Sequence, residues 1–400
     1  MSHGEATGPS GARQVAPFAA LSASYFAHIG FFNPYLPLWL QHLGMPLFVI
    51  SLLAAIQAGT RVFAPYVWGT LSDRSGERVR LLRWSAFVAL AASMGLWWDG
   101  GPVWIAVVLF VMFTHTGSMM SLTEAAMAHL VAGDWGRYGR IRLWGSIGFM
   151  VTVFAAGAWF EHFGMGHFPA WTLVTLACVL ACAYWMPDIR DKQADAHEPG
   201  LPVGPVLRQG VVRWFFATLF FHVTAHFSIY AYFSLYLDSK GYSKAVIGAL
   251  WAVSVLVEIA WFFLQGRLMR LASMTRWLLV CSWVAVVRMA LIAGAADWVV
   301  LLIAAQCLHA FTFAAHHTAC IAVVSHHFPG RLRARGQALF TVMGYGLGGL
   351  LGVLAGGALI TRLGYEGLFI AAAVLALLAA VCAWRMEALE RTRSLEGGGC

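Results

Sequence analysis

Charged residues are scarce in this 400-residue chain. They make up 11% of it, against about 25% in soluble domains, while 60% of the residues are hydrophobic. The mean hydropathy of +0.71 reflects the same imbalance. This composition excludes an ordinary soluble protein and predicts a chain embedded in a lipid bilayer.

Motifs for metals, nucleotides and nucleic acids are also missing. The seven cysteines form no C-x-x-C pair, so neither a zinc site nor a disulfide framework is indicated. No G-x-x-x-x-G-K-[ST] loop occurs, which argues against direct use of ATP. The arginines lie in short loops and do not alternate with aromatic residues on a polar face. We therefore expect no metal, cofactor, ATP or nucleic-acid partner.

The sequence has long apolar stretches instead. A helix needs about 20 apolar residues to cross about 30 Å of hydrocarbon, and twelve stretches meet that length. They cover residues 16–40, 47–71, 81–98, 103–131, 140–160, 169–187, 212–237, 244–268, 276–295, 298–326, 336–361 and 366–386.

Polar segments divide the chain. Residues 188–211 form the only long polar segment between apolar stretches, and we expect them to link two six-helix bundles, residues 16–187 and 212–386. Residues 1–15 and 387–400 are predicted to be cytoplasmic tails.

Basic residues mark one side of the membrane. Of the 26 lysines and arginines, 21 lie in the tails, the linker and the loops on a single side. By the positive-inside rule this side, with both termini, is cytoplasmic, as an even number of spans requires. We expect a multi-pass protein of the cell (inner) membrane that functions as a monomer.

The two halves repeat each other. YLPLWLQHLGMPLFVISLL, from Tyr35, aligns with YFSLYLDSKGYSKAVIGAL, from Tyr232, at an offset of 197 residues, and the same offset relates Gly69 to Gly266. Parallel six-helix repeats are an architecture of secondary transporters, which bind substrate between the halves near mid-membrane.

The most specific motif follows the second apolar stretch. GTLSDRSGERVR, from Gly69, resembles the G-x-L-x-D-R-x-G-R-[KR] signature of the major facilitator superfamily, with Glu77 where a base is usual, and a degenerate copy begins at Gly266. GFFNPYLPLWL, YGRIRLWGSIGF and LHAFTFAAHH resemble the phenylpropionate-permease-like branch, which is related to lactose permease and the nucleoside proton symporters. The resemblance covers residues 16–386. It implies an all-α polytopic membrane protein with twelve transmembrane helices in two pseudo-symmetric six-helix bundles, a transporter and not an enzyme.

This loop is a candidate conformational latch, formed by Gly69, Asp73, Arg74, Gly76 and Arg78. Asp73 stands at the carboxyl end of a helix, where the macrodipole disfavours an anion by roughly 0.3–1 kcal/mol, so a partner elsewhere must favour it. In the superfamily the loop meets the start of the eleventh span. Gly69 is expected to let the second and eleventh spans approach closely, so that the latch holds the outward-open state.

Four strongly ionic residues lie deep in apolar stretches, where each costs about 2.5–3.5 kcal/mol on insertion scales. Arg61 and Glu124 belong to the first half, and Glu258 and Arg288 to the second. Their spacing from the basic loops places one acid and one base at similar depth in each half. Each pair could be a structural ion pair. The alternative is a site in which an acid takes a proton and an arginine holds an anionic substrate group. Asn33 is a further candidate substrate contact.

Histidines are the other candidate proton carriers, because an unperturbed pKa near 6.5 suits proton exchange at neutral pH. His309 and His316, seven residues apart, are predicted to share one face of the tenth span. Lactose permease has an acid in span 8, an arginine in span 9 and a histidine in span 10, a pattern that Glu258, Arg288 and this histidine pair resemble. Since span 10 here lacks a carboxylate, Glu258 and a histidine remain alternative proton acceptors.

Glycines recur every fourth residue in the eleventh span, at Gly344, Gly348, Gly352 and Gly356. Because no strand precedes them, they predict a smooth face for close helix packing and not a dinucleotide loop.

Together these features predict a proton-coupled symporter that imports a small organic acid with an apolar or aromatic body by alternating access. The expected substrate contacts are Arg61, Asn33, Glu124, Arg288 and His309. The expected proton-coupling residues are Glu258, His309, His316 and Glu124. A proton symporter for a neutral nucleoside or sugar, and an efflux carrier of hydrophobic compounds, remain alternatives.

Overall fold

The computed structural model describes residues 9–98, 100–131, 135–188, 202–329 and 332–397, and this part of the chain consists of helices joined by short loops, with no strand. The first half contains α1 (Pro9–His42), α2 (Leu47–Ser75), α3 (Arg78–Ser93), α4 (Gly101–Val131), α5 (Trp135–Phe163) and α6 (Phe168–Trp185). After a short helix, Gly204–Leu207, the second half begins with α7 (Gly210–Ser239), α8 (Lys244–Leu268) and α9 (Met274–Gly294).

Two of the remaining helices contain π-helical turns. In α10, Ala310–Ala315 is π-helical and joins Val299–Cys307 to His316–His327. The next helix, α11, passes from Arg333–Phe340 through the π-helical segment Thr341–Gly348 into residues 349–363. Gly364 has a φ of 72° and breaks the helical element Gly349–Gly397, so residues 365–397 form α12.

Twelve helices therefore correspond to the twelve predicted spans, and α8 has the predicted bounds. Two outer ends differ from the prediction. The first helix begins at Pro9, inside the predicted tail, and α12 continues to Gly397, past residue 386. Both extensions contain good helix formers, which continue a helix beyond its apolar part. Residues 189–201 of the predicted linker lie outside the described residues.

The helices have membrane-spanning lengths. Ten helical segments of the described chain are long and apolar enough to cross a bilayer. One of them, Arg335–Thr392, has 58 residues, or about 87 Å at ~1.5 Å per residue, and is two crossings separated at Gly364. With α7, a 30-residue helix packed among them, the count reaches twelve. The chain is a multi-pass membrane protein.

The two halves meet through equivalent helices. The fifth helix packs against α8, and α2 packs against α11, so each half contributes its second and fifth helices to the seam. The glycine stripe of α11 packs closely against a helix, as predicted, and that helix is α7. A methyl group on Gly344 would lie 3.2 Å from Leu219, and one on Gly352 would lie 2.7 Å from the Thr224 carbonyl oxygen.

The seam is closed at the end that holds the α1–α2 and α7–α8 loops, here called the α1–α2 end. The Tyr35 hydroxyl lies 3.0 Å from the Val153 carbonyl oxygen on α5 and 3.2 Å from that of Lys244 on α8. The Tyr232 hydroxyl bonds the Val353 carbonyl oxygen on α11 and lies 2.8 Å from Ser51 Oγ on α2.

Charged groups reinforce this end. The Glu161 carboxylate on α5 accepts the Lys244 backbone N–H at 2.6 Å, which satisfies a free donor at the start of α8. Lys240 bonds Glu366 at 3.0 Å and Asp297 at 3.2 Å. These hydrogen bonds, first that to Glu366, raise the pKa of Lys240 above its ordinary value.

Candidate functional site

A central cavity of about 320 Å³ lies between the two halves. Its wall is formed by residues of α1, α2 and α5 from the first half and of α7, α8, α10 and α11 from the second. Small-molecule sites in proteins occupy about 300–1,000 Å³, so the cavity has the volume of such a site.

The cavity wall follows the sequence repeat. Five positions on α1 and α2 line it together with the positions 197 residues later on α7 and α8. The pairs are Asn33 and Tyr230, Pro34 and Ala231, Ala54 and Trp251, Gln57 and Ser254, and Arg61 and Glu258. The two halves thus present equivalent helix faces with different chemistry.

Arg61 is an accessible cation in this wall. Its side chain is partly exposed to the cavity. Within the described part of the chain it makes no hydrogen bond or ion pair. On the same side, the Gln57 amide Nε2 donates to Asn33 Oδ1 at 3.0 Å.

Glu258 and Arg288 are connected through a histidine and do not contact each other among the described residues. Glu258 lines the cavity on α8, and its Oε2 lies 3.4 Å from His309 Nε2. On the other side of the ring, His309 Nδ1 lies 3.1 Å from Arg288 Nη1. The sequence allowed a direct structural ion pair between Glu258 and Arg288, and the structure instead joins these two side chains through His309.

Arg288 determines the tautomer of His309. A guanidinium group has donors and no acceptor, so Nδ1 of His309 must accept. A neutral ring then carries its proton on Nε2, which faces the Glu258 carboxylate.

Arg288 itself lies behind the wall and is fully buried. It donates to Thr312 Oγ1 at 2.7 Å and to Gln306 Oε1 at 2.9 Å, and it does not line the cavity. The prediction that Arg288 lies deep in the second half is therefore right, but its position favours holding His309 over reaching a substrate.

The π-helical turn corrects the prediction for span 10. His309, Phe313 and His317 line the cavity, whereas His316 does not. A π turn holds more residues than an α turn, so every fourth residue stays on the cavity face and the seven-residue spacing of His309 and His316 does not. The His316 ring is instead buried against His222, with ring centroids 3.7 Å apart.

Aromatic side chains supply much of the remaining wall. They come from six helices of both halves, and sequence reasoning did not single them out because aromatic residues are frequent throughout the chain. They are Phe26, Phe149, Phe227, Tyr230, Trp251, Phe313 and Tyr345. The offset of 197 applied to Asn33 and Ala54 would have found Tyr230 and Trp251.

Two of the predicted site residues, Glu124 and Asp73, have side chains that are not among those the structure describes.

The structure does describe the two glycines of the predicted latch, Gly69 and Gly76. Gly76 ends α2 with a φ of 66°, a left-handed conformation that suits glycine. Close approach at Gly69 is not observed, since no described atom of a neighbouring helix lies within 4 Å of where its Cβ would stand. Nearer the α1–α2 end, a Cβ on Gly346 of α11 would lie 2.9 Å from Val62, so the seam loosens from Val62 toward Gly69.

No group of three or more metal-ligating side chains occurs within the described ranges. Among the described residues, the ionic side chains that line the cavity are Arg61 and Glu258, and His309 joins Glu258 to the buried Arg288.

Comparisons with known proteins agree with the resemblance noted in the sequence. The family model described as the MFS_1 like family matches residues 21–371. The chain is 27% identical over 334 residues to the probable 3-phenylpropionic acid transporter of Escherichia coli (strain K12), covering 81% of this chain and 85% of that protein. It is also 27% identical over 312 residues to the maltose permease of Geobacillus stearothermophilus, covering 74% and 75%. The crystal structure of the nucleoside transporter NupG has a TM-score of 0.81 at 15% identity, covering 93% of this chain and 98% of that one. The predicted two-bundle fold of twelve helices is confirmed.

Proposed function

Since the chain belongs to the MFS_1 like family and is a membrane transporter, not an enzyme, we propose that it is a proton-coupled symporter that imports a small aromatic carboxylate by alternating access. The observation that carries this proposal is the placement of Arg61, a cation with no described partner, in a cavity lined by aromatic side chains.

Arg61 is the proposed carboxylate site. A guanidinium group binds a carboxylate through two parallel hydrogen bonds, and an arginine at membrane depth with no anionic partner among the described residues gains most from such a ligand. Asn33 lies on the same wall and is a proposed neutral contact. Glu124 stays a proposed participant on the basis of the sequence alone.

The aromatic wall is the proposed site for an apolar ring. Aromatic side chains pack against ring ligands edge to face or in offset stacks. The similar protein from Escherichia coli is named for 3-phenylpropionic acid, a ring with a short carboxylate arm. That combination matches an arginine beside an aromatic cavity.

Glu258 is the proposed proton acceptor. A second proton on His309 would remove its hydrogen bond from Arg288 and place two cations 3.1 Å apart. A proton on Glu258 removes a negative charge and creates no new cation. His309 and Arg288 therefore orient the acceptor, and His316, which does not line the central cavity, has no direct part in the proposed step.

We propose that the protein lies in the inner membrane with both termini in the cytoplasm, as the arginine-rich loops favour. The closed α1–α2 end is then periplasmic, and the conformation faces inward. The proposed latch at Gly69, Asp73, Arg74, Gly76 and Arg78 would act in the opposite, outward-open state. We propose that a monomer completes the cycle.

A neutral substrate is the second candidate. Asn33 and Gln57 expose amide groups to the cavity, and amides bind the hydroxyl groups of sugars and nucleosides well. This candidate leaves the charge of Arg61 without a ligand.

Uptake into proteoliposomes tests the proposal. With purified protein and an imposed inward proton gradient, 3-phenylpropionate should accumulate, and an uncoupler should abolish the accumulation. Unlabelled benzoate should compete, whereas uridine and maltose should not. Competition by the neutral compounds alone would favour the second candidate, and accumulation without a gradient would contradict proton coupling.

A further inference from the structure

A second, much smaller pocket adjoins the central cavity. Its volume is about 10 Å³, which is roughly what one water-sized oxygen needs. Three of its wall residues, Tyr230, Phe313 and Tyr345, also line the central cavity. The small pocket, here called the side pocket, is thus a recess of the site and not a separate void.

Three buried histidines, His222, His226 and His316, line the side pocket, and the first two have unsatisfied ring nitrogens among the residues described. His226 is 4% exposed, and neither of its ring nitrogens has a hydrogen-bond partner among the residues described. His222 is 1% exposed, and its Nδ1 also has no hydrogen-bond partner among the described residues. Unsatisfied buried polar atoms are destabilising and are rare in proteins, so we expect a polar group to bind in this pocket.

The hydrogen-bond pattern defines what that ligand must offer. His222 Nε2 lies 2.8 Å from the Thr312 carbonyl oxygen, which can only accept, so Nε2 donates. In the neutral ring, His222 Nδ1 is then an acceptor. A neutral His226 ring offers one donor and one acceptor.

One hydroxyl group can bond both histidines at once. It can donate a hydrogen bond to His222 Nδ1 and accept one from the donor nitrogen of His226. A carboxylate has no proton to donate to His222 Nδ1. The fixed cation Arg288, 2.7 Å from Thr312 Oγ1, disfavours an ammonium group in this recess.

We propose that the side pocket is a subsite for one hydroxyl oxygen, and that the preferred substrate is therefore a hydroxyaryl carboxylate. A water molecule takes the same position when the ligand has no hydroxyl. This inference rests on the proposed function, because Arg61 on the first half holds the carboxylate while the side pocket on the second half holds the ring hydroxyl.

Binding of matched ligands tests the subsite. The probes are 3-phenylpropionate, its three ring-hydroxylated isomers and the corresponding methoxy compounds, measured by calorimetry with the purified protein. At least one hydroxy isomer should bind about tenfold more tightly than 3-phenylpropionate, as expected when a ligand hydroxyl reproduces the hydrogen bonds of an ordered water and releases that water. Its methoxy counterpart, which cannot donate and is larger, should lose that advantage.

Variants locate the effect. His226→Phe should reduce the hydroxy-to-unsubstituted affinity ratio to about one, and His226→Asn, which keeps a donor and an acceptor, should restore part of it. The matched control is His28→Phe, which removes a buried histidine of α1 that bonds Thr175 outside the cavity wall, and it should keep the full ratio. Equal wild-type affinities for all isomers, or an unchanged ratio in His226→Phe, would overturn the proposal.

A ligand-free structure that resolves waters separates this inference from the proposed function. If no arylpropionate binds, the proposed function fails, and a water bonded to His222 and His226 still supports the hydroxyl-oxygen site. An empty side pocket overturns it. A water that remains beside a bound hydroxyaryl acid overturns the assignment of the substrate hydroxyl.

Discussion

Arg61 on α2 and Glu258 on α8 occupy equivalent positions in the two repeats, separated by the same 197 residues that align Tyr35 with Tyr232. Both side chains line the central cavity. Parallel repeats related by an axis along the membrane normal keep equivalent residues at equal depth, so a cation and an acid face the cavity at one level. In the proposed function the first half binds the anion and the second half binds the proton.

Replacing Arg61 should weaken carboxylate binding. Arg61→Gln removes both the positive charge and the guanidinium group that makes two parallel hydrogen bonds. Arg61→Lys keeps the charge but cannot bind a carboxylate through two such bonds. We expect the affinity for 3-phenylpropionate to fall more than tenfold in Arg61→Gln, or more than about 1.4 kcal/mol, and by less in Arg61→Lys, as measured by calorimetry.

The control for Arg61 is Arg80→Gln, because Arg80 is exposed and bonds only Glu77 among the described residues. It should bind 3-phenylpropionate as the wild type does. Wild-type affinity in Arg61→Gln would remove Arg61 from the substrate site.

Glu258→Gln should separate exchange from accumulation. Glutamine keeps the shape and can still contact His309, but it cannot gain and release a proton. Counterflow of 3-phenylpropionate should continue, while accumulation driven by a pH gradient should be lost. Glu77→Gln, which changes an acid outside the cavity, should show both activities. Undiminished accumulation in Glu258→Gln would shift the proton role to His309.

The fold followed from the sequence because the thickness of the bilayer imposes the length of each apolar stretch. The cavity wall could also be found, since the repeat that aligns Tyr35 with Tyr232 aligns its lining positions. The π turn in α10 could not be predicted, because it depends on how α10 packs in the folded protein and leaves no mark in the pattern of apolar residues. Close approach at Gly69 depends on the conformational state, and one sequence encodes every state of the cycle.

The π turn makes its own prediction about span 10. His317 faces the cavity and His316 is 4% exposed, although an uninterrupted α-helix would favour His316 as the partner of His309. In a background without native cysteines, His317→Cys should react with a small water-soluble maleimide, and His316→Cys should react at least about tenfold more slowly, as expected for a buried thiol. If His316→Cys reacted faster than His317→Cys, span 10 would be an uninterrupted α-helix with His316 facing the cavity.

The latch makes a prediction from the sequence. Asp73 stands at the carboxyl end of α2, where the helix dipole disfavours its charge, and Asp73→Asn removes the charge that a partner in the outward-open state would bind. The population should shift toward the inward-facing state, so that labelling of Ile29→Cys by a membrane-impermeant maleimide from the periplasm slows. Ile29 lines the cavity. Unchanged labelling would contradict the latch.

The two tyrosines at the α1–α2 end should have the opposite effect. Tyr35 and Tyr232 are repeat equivalents, and each hydroxyl reaches from its own half to the other, toward Lys244 and Ser51 respectively. A neutral hydrogen bond contributes about 0.5–1.5 kcal/mol, so each Tyr→Phe change should raise the population open at this end about 2- to 10-fold. Periplasmic labelling of Ile29→Cys should accelerate in either variant, and more in the double variant. Tyr242→Phe is the matched control, because its hydroxyl bonds the Ala296 carbonyl oxygen at 2.8 Å within the second half and does not cross the seam. Equal acceleration in Tyr242→Phe would mean that local loosening, and not the seam, limits access to the cavity.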